Sequence, residues 1–168
     1  MTYERNRYSV PTRCVGQMVR AEVYADRLEF YWQDQQVAVH PRAMGRGQTV
    51  LSLEHFLGAL VRKPYAVTHA AVVRQLPEPY QTLRRRLMEH DPSGYREMVQ
   101  VLLLHQEFAP EAVREAIQEA LAAGIYLADG IRQLLLNRFD LRKEVHAGPT
   151  RGPAVPVGDP RRYDALLV

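Results

Sequence analysis

The spacing of the apolar residues changes once along this chain, near residue 51, and this change constrains the fold more than any other feature. Before it, apolar and polar side chains alternate, as in residues 28–32 and around Val37 and Val39. A period of two is typical of a half-buried strand. After it, Phe56 and Leu60 begin a three- to four-residue spacing that is typical of amphipathic helices. The chain is therefore expected to be an α+β protein whose strands precede its helices.

The first 51 residues are expected to form a small β-barrel. About five short strands fit between turn segments such as Pro11-Thr12 and Gly45-Arg46-Gly47. That number of strands in so short a segment suits a five-stranded SH3-like barrel better than a sandwich, which needs more strands.

A bundle of about five α-helices is expected over residues 52–142, because capping residues, prolines and a glycine bracket each helical stretch. The expected limits are Ser52 to Pro64, Pro77 or Pro79 to Asp91, Ser93 through the apolar run to Leu103, Pro110 to Gly124, and Asp129 to near Phe139.

Residues 143–168 are expected to be a disordered tail. Glycine and proline recur through residues 147–160, and such a composition cannot bury enough apolar surface to fold alone. The chain becomes apolar again at Leu166 and Leu167. A linker with an apolar tip is either a frayed end or a short binding motif, and composition leaves both open.

The charge is unevenly distributed, although its total is only +3. Residues 1–90 carry 13 Lys/Arg and 8 Asp/Glu, a balance of +5, whereas residues 91–168 carry 9 and 11, a balance of −2. The front half thus favours a polyanionic partner such as DNA, and ordinary solvated charge is the alternative. Arginine far outnumbers lysine, which suits phosphate recognition but also follows from a GC-rich genome.

A cytoplasmic location without membrane contact is expected. Cys14 is the only cysteine, so no internal disulfide can form. Neither a signal peptide nor an apolar run of membrane-spanning length is evident in the sequence.

No catalytic residue, metal site or cofactor is predicted. The six histidines are scattered without a ligand spacing, so each is expected to lie at the surface or half-buried. The acidic stripe Glu111, Glu115 and Glu119 is typical of a solvated helix face.

Basic residues are the more informative set, because arginine on the rim of a small barrel can neutralise phosphates and a neighbouring tyrosine can stack on sugars or bases. Consecutive arginines on a helix point about 100° apart, so only some of them can face one partner. The candidate nucleic-acid-binding residues are Arg5, Arg7, Tyr8, Arg13, Arg42, Arg46, Arg62, Lys63, Arg84 and Arg85.

Several short motifs, in order along nearly the whole chain, carry a family resemblance. They are Arg5-Asn6-Arg7-Tyr8-Ser9-Val10-Pro11, Val15-Gly16-Gln17-Met18-Val19, Tyr24-Ala25-Asp26-Arg27-Leu28-Glu29-Phe30, His40-Pro41-Arg42, Gly45-Arg46-Gly47-Gln48, Glu54-His55-Phe56-Leu57, Arg62-Lys63-Pro64, Tyr95-Arg96-Glu97-Met98-Val99 and Tyr163-Asp164-Ala165-Leu166-Leu167. In these motifs the chain resembles the C-terminal region of IstA-type insertion-sequence transposases, which is related to the C-terminal barrel of phage Mu transposase.

The resemblance implies a barrel and helices downstream of a ribonuclease-H-like domain with an Asp-Asp-Glu metal triad. No residue of this chain matches that triad, so the chain is expected to be a non-catalytic module of a transposase. The expected possibilities are an expressed fragment, a truncated reading frame or one piece of a split enzyme, and the sequence leaves all three open. The implied role is assembly of transposase subunits on transposon ends during DNA transposition.

The resemblance also implies partners. These are DNA, contacted largely through its backbone, other transposase subunits, and an AAA+ ATPase of the IstB type. The segment that resembles the ATPase-engaging one contains Tyr163, Asp164, Leu166 and Leu167. The alternative function is a protein–protein module that contacts only other transposase subunits and no DNA.

Overall fold

The computed structural model describes the backbone of residues 1–146 and the side chains of residues 1–138. Its first strands form a three-stranded sheet in the order β1 (Thr2–Tyr3), β2 (Asn6–Tyr8) and β6 (Thr49–Val50). Strands β1 and β2 pair antiparallel, whereas β2 and β6 pair parallel. Glu4 and Arg5 form the turn between β1 and β2 with φ values of 47° and 66°. Two such residues in succession are typical of the type I′ turn that suits the twist of a two-residue hairpin.

A second three-stranded sheet is an antiparallel meander of β3 (Arg20–Val23), β4 (Arg27–Trp32) and β5 (Gln35–Pro41). In β4 the alternation is the one expected from the sequence, because Leu28 and Phe30 are buried in a small core that they share with Tyr8 of the first sheet. In β5 the expectation is corrected, because the strand buries Ala38 and His40 while Val39 is 49% exposed. The opposite face carries Arg27 and Glu29 and is polar.

The structure corrects the expected five-stranded SH3-like barrel, because the described strands number six and pair as two separate three-stranded sheets. The physical reason lies between β2 and β3. There Pro11 precedes a 3-10 turn at Thr12–Cys14, and Gly16 has a positive φ, so residues 10–19 belong to neither sheet. The first sheet also has strands of only two or three residues, too short to continue into the meander.

The described residues after the sheets contain six α-helices where about five were expected. They are α1 (Glu54–Arg62), α2 (Ala71–Arg74), α3 (Glu78–His90), α4 (Gly94–Leu103), α5 (Pro110–Ala122) and α6 (Ala128–His146), with 3-10 turns at Pro64–Thr68 and Leu104–Gln106. The additional helix is the four-residue α2, which is shorter than the window over which a helical period can be recognised. Helix α4 packs against α3 and α1 in an apolar core around Met98, Val101 and Leu102.

The helix ends follow the expected signals in part. At the end of α5, Gly124 takes a φ of 71°, and the Ile125 N–H donates to the Ala120 carbonyl oxygen at 2.8 Å, which is a Schellman ending. Asp129 was expected to cap α6, but the helix begins one residue earlier. The Ala128 N–H there donates to Glu97 Oε1 at 2.6 Å, so a carboxylate from α4 caps it.

Helix α6 extends to His146 rather than ending near Phe139. Residues 1–136 form one compact unit. Within the described residues, none of the helices combines the length and the apolar character needed to cross a membrane.

Candidate nucleic-acid interface

Two turns of the first sheet are held together by one buried amide. The Asn6 side chain is fully buried, and its Nδ2 donates to the Gly45 carbonyl oxygen at 2.8 Å while its Oδ1 accepts the Gln48 N–H at 2.9 Å. Asn6 adjoins the Glu4–Arg5 turn, and Gly45 and Gln48 flank Arg46. The buried amide therefore fixes the turn that carries Arg5 against the loop that carries Arg46.

The loop from Gly45 to Gln48 adopts a shape that needs glycine. Gly45 and Gly47 have φ values of 109° and 78°, a region that other residues rarely enter. The Gln48 side chain donates to the Met44 carbonyl oxygen at 2.7 Å and closes the loop on itself. Arg46 thus sits at the tip of a short, internally bonded loop.

Arg5 and Arg46 line one depression of about 370 Å³ together with Glu4 and Gly45. Both arginines are exposed, and no hydrogen bond or ion pair holds either side chain within the described part of the chain. Guanidinium groups have the donor chemistry that phosphate oxygens accept, although the Glu4 carboxylate shares this depression. Of the residues predicted from the sequence, these two are brought together most directly.

Arg42 lies beside this depression but is used internally. Its Nη2 donates to both carboxylate oxygens of Glu4, at 3.1 and 3.2 Å, and its guanidinium lies over the Tyr3 ring at 5.6 Å. The ion pair with Glu4 raises the pKa of Arg42 and neutralises its charge locally. Arg42 therefore positions the turn more than it offers a free donor to a ligand.

Arg7 and Tyr8 point to opposite faces of β2, as successive strand residues must. Tyr8 is only 2% exposed, its ring packs near Phe30, and its hydroxyl accepts the Ala43 N–H at 3.0 Å. The expectation that Tyr8 stacks on sugars or bases is therefore corrected, because its ring fills the core between the sheets. Arg7 faces outward on the other side and is exposed.

The remaining predicted basic residues divide into exposed and internally bonded groups. Arg13 is exposed on the Thr12–Cys14 turn, and Arg62 and Lys63 are exposed at the end of α1. Arg84 instead donates to the Val67 and Thr68 carbonyl oxygens, at 3.4 and 3.2 Å, and so braces that segment.

Arg85 is also bonded within its own helix. It lies 3.7 Å from Glu78 and donates to the Thr82 hydroxyl.

The arginines of the second sheet, Arg20 and Arg27, are likewise bonded to Glu22 and Glu29. The Tyr31 hydroxyl also donates to Glu29, and together these bonds lower the pKa of that carboxyl. Charge on these elements is therefore compensated locally.

Two buried histidines, His40 of β5 and His55 of α1, meet at Ser9 beside the end of β2, although surface or half-buried positions were expected for every histidine. His40 and His55 are 3% and 9% exposed, and their rings lie 5.4 Å apart. His40 Nε2 donates to the Ser9 carbonyl oxygen at 2.7 Å, and a 2.8 Å hydrogen bond joins Ser9 Oγ to His55 Nδ1. Burial, followed by the nearby His40 and Arg13, lowers the pKa of His55 to about 4.

This Ser9–His55 contact is structural. Ser9 Oγ also accepts the Ser52 N–H at 2.9 Å, and the serine is 7% exposed. The described residues contain no group of three or more His, Cys, Asp or Glu side chains that could hold a metal ion. The predicted partner-binding residues Tyr163, Asp164, Leu166 and Leu167 lie outside the described residues.

Sequence reasoning missed the role of Asn6, although one signal was present. Asparagine is depleted in strands, and a buried amide must find hydrogen-bond partners. An asparagine between two outward arginines in an alternating segment therefore indicates an internal clamp rather than a surface residue.

Comparison with known proteins relates the first 52 residues, and also most of the chain, to transposases. Residues 1–52 match the family model of the Mu transposase C-terminal domain. A transposase of Aminobacter aminovorans is 36% identical over 142 residues, which cover 82% of this chain and 28% of that protein. The transposases for insertion sequences IS1326/IS1353 of Pseudomonas aeruginosa and Shigella flexneri are each 35% identical over 127 residues, 73% of this chain and 25% of theirs.

The chain thus spans about a quarter of the length of the curated relatives it matches. No solved structure matches it significantly.

Proposed function

From this likeness to the C-terminal region of transposases, we propose that the chain is a non-catalytic module of an IstA-type, Asp-Asp-Glu transposase that helps to assemble the enzyme on DNA. The observation that supports DNA association best is the pair Arg5 and Arg46. Both belong to the segment that matches the Mu transposase C-terminal domain, both are exposed, and the Asn6 amide fixes the turns that carry them.

The proposed contact is with the phosphate backbone. Guanidinium groups donate to phosphate oxygens and position a protein on DNA, but they carry no sequence information directly. Arg5 and Arg46 lie on turns rather than on a helix or strand that would enter a groove. Binding is therefore weak and largely independent of sequence, and the rest of the parent enzyme supplies recognition of the transposon ends.

Strand transfer is assigned to the parent enzyme and not to this chain. Hydrolysis and joining by such enzymes need a carboxylate cluster that holds two metal ions. In this proposal the chain helps to assemble the transposase on DNA and carries out no chemical step.

Recruitment of a partner ATPase is the second part of the proposal, and the sequence resemblance alone supports it. Tyr163, Leu166 and Leu167 can share one face of a short helical turn formed in a partner's groove. A glycine- and proline-rich linker would raise the local concentration of that motif once DNA has brought the ATPase near.

The test of DNA association compares variants that lose the same charge at different places. We expect the double variant Arg5→Ala/Arg46→Ala to bind a labelled duplex at least tenfold more weakly than the unchanged chain in fluorescence anisotropy at low salt. The control Arg20→Ala/Arg85→Ala also removes two positive charges, but from residues already paired with carboxylates. Equal binding by both double variants contradicts the assignment and favours a module that contacts only other transposase subunits.

A further inference from the structure

A polar row crosses the outer face of the first sheet. In its register, Thr2 of β1 lies opposite Arg7, and Arg7 lies opposite Thr49 of β6. All three side chains are exposed, on the side of β2 away from Tyr8. One guanidinium is thus flanked by a threonine on each neighbouring strand.

This row borders an open cleft of about 450 Å³, within the range typical of ligand pockets. Helix α1 contributes Phe56 to the wall of the cleft, and Leu51, which follows β6, also lines it. Ala70 and Ala71, which follow the 3-10 turn Pro64–Thr68, complete this wall. The cleft shares no lining residue with the depression between Arg5 and Arg46, so the two are separate. Among the residues that the structure describes, no carboxylate lines this cleft.

Arg7 brings an uncompensated positive charge to this cleft. Its side chain makes no hydrogen bond or ion pair over the residues whose side chains are described. A guanidinium between two hydroxyl groups offers several donors to one tetrahedral anion. The neighbouring wall is apolar and includes an aromatic ring, which suits the face of a planar base. A phosphate joined through a sugar to a planar ring whose face can stack is the chemistry of a nucleotide.

We propose that this cleft binds one unpaired nucleotide of a DNA strand, with its phosphodiester on Arg7, Thr2 and Thr49 and its base against Phe56. A paired base stays stacked inside the duplex and cannot enter such a cleft, so the site favours a strand end or an overhang. The inference extends the proposed DNA association to a second site and does not depend on Arg5 or Arg46.

The experiment compares a blunt duplex with the same duplex carrying a short thymidine overhang, both binding to the full chain in fluorescence anisotropy. We expect about a fivefold preference for the overhang, the lower end of the contribution of one base stacked on an aromatic side chain. Ala71→Leu, which fills the exposed wall of the cleft, removes the preference and leaves affinity for the blunt duplex unchanged. The matched control Ala122→Leu, on the exposed face of α5, keeps the preference.

A second variant covers the case in which Ala71→Leu fails to fold. Thr2→Val/Thr49→Val removes both hydroxyl groups with nearly isosteric side chains that suit strands, and it is also expected to remove most of the preference. Equal affinity of the unchanged chain for the two DNAs, or a preference that survives the folded cleft variants, overturns the proposal.

The variant Arg5→Ala/Arg46→Ala tests whether the two sites are separate. If it binds the blunt duplex more weakly but keeps the same ratio of overhang to blunt-duplex affinity, the result supports two separate sites. If the unchanged chain binds only the overhang DNA, duplex association fails while the nucleotide site stands. If it binds neither DNA, both proposals fail.

Discussion

The Asn6 side chain donates to the Gly45 carbonyl oxygen at 2.8 Å and accepts the Gln48 N–H at 2.9 Å, and these contacts help to join the turn that carries Arg5 to the loop that carries Arg46. A residue that touches no ligand therefore sets the spacing of two that are proposed to touch DNA. Since Asn6 is fully buried, its effect on binding must act through the positions of the two turns.

Replacing Asn6 by alanine is expected to weaken duplex binding without removing any charge. The substitution breaks two hydrogen bonds and leaves partner groups unsatisfied, which costs roughly 1–3 kcal/mol of unfolding free energy. Urea unfolding measures that cost, and anisotropy at a temperature where the variant is fully folded measures binding. The exposed Gln118→Ala on α5 is the control. Unchanged duplex affinity in folded Asn6→Ala contradicts a positioning role for Asn6.

The buried histidines predict acid-sensitive stability. Burial lowers the pKa of His55 from 6.5 to about 4 and lowers that of His40 as well, so the unfolded chain binds protons more readily than the folded one in this range. Stability is therefore full above about pH 6.5 and falls as the pH drops toward 4, by up to about 3 kcal/mol for His55. The groups that face this pair include Arg13 and the N-terminal ammonium, whose positive charges act in the same direction.

The measurement is the urea midpoint at pH 7.5, 6 and 5. His55→Leu is less stable at neutral pH because it loses the bond to Ser9, but its dependence on pH is expected to be shallower. The same midpoint for the unchanged chain at pH 7.5 and 5 would show that the histidines do not titrate as described.

Gly94 and Gly58 are expected to respond in opposite directions to alanine. At Gly94, the first residue of α4, a Cβ would lie 2.3 Å from the Leu87 carbonyl oxygen, so Gly94→Ala must push α4 away from α3. Such overpacking costs roughly 1–3 kcal/mol of unfolding free energy. A Cβ at Gly58 meets nothing within 4 Å, and the α1 backbone suits alanine, so Gly58→Ala is expected to stabilise by about 0.5–1 kcal/mol. Thermal melts of the two variants measure these changes in stability. A higher melting temperature for Gly94→Ala would contradict the close packing of α4 on α3.

Deleting residues 161–168 is expected to leave folding and duplex binding intact and to abolish capture of an IstB-type ATPase. The reason is that Tyr163, Leu166 and Leu167 are the proposed docking side chains. A pull-down with purified ATPase measures capture, and Asp159→Ala in the full chain serves as the control. Full capture by the shortened chain would move the docking role to the helices or sheets.

The helical part was predictable because its signals are local. Proline at a helix start and glycine after a helix end act within one turn of the chain. Helices α3 and α5 both have a proline within their first two residues, and α5 also ends before Gly124. The cap of α6 was not predictable, because Glu97 reaches Ala128 from another helix and no local pattern records such a contact.

The structure of residues 1–51 was harder to predict, because strand pairing depends on contacts between segments that are distant in the sequence. Alternation placed Leu28 and Phe30 in the core correctly, but it did not reveal that β6 pairs parallel with β2 or that the strands divide into two sheets. For the same reason Tyr8 was expected outside and Asn6 was not considered, since the side that a short strand buries depends on the partner it meets.

The salt dependence of duplex binding tests the central claim most directly. Each phosphate contact releases counterions, so the slope of log affinity against log salt reports how many contacts form. We expect the unchanged chain to show a clear negative slope that becomes shallower by about two in Arg5→Ala/Arg46→Ala, roughly one for each lost contact. The control Arg20→Ala/Arg85→Ala keeps the original slope. The same slope in all three proteins, or no dependence on salt in the unchanged chain, contradicts the claim that Arg5 and Arg46 bind the DNA backbone.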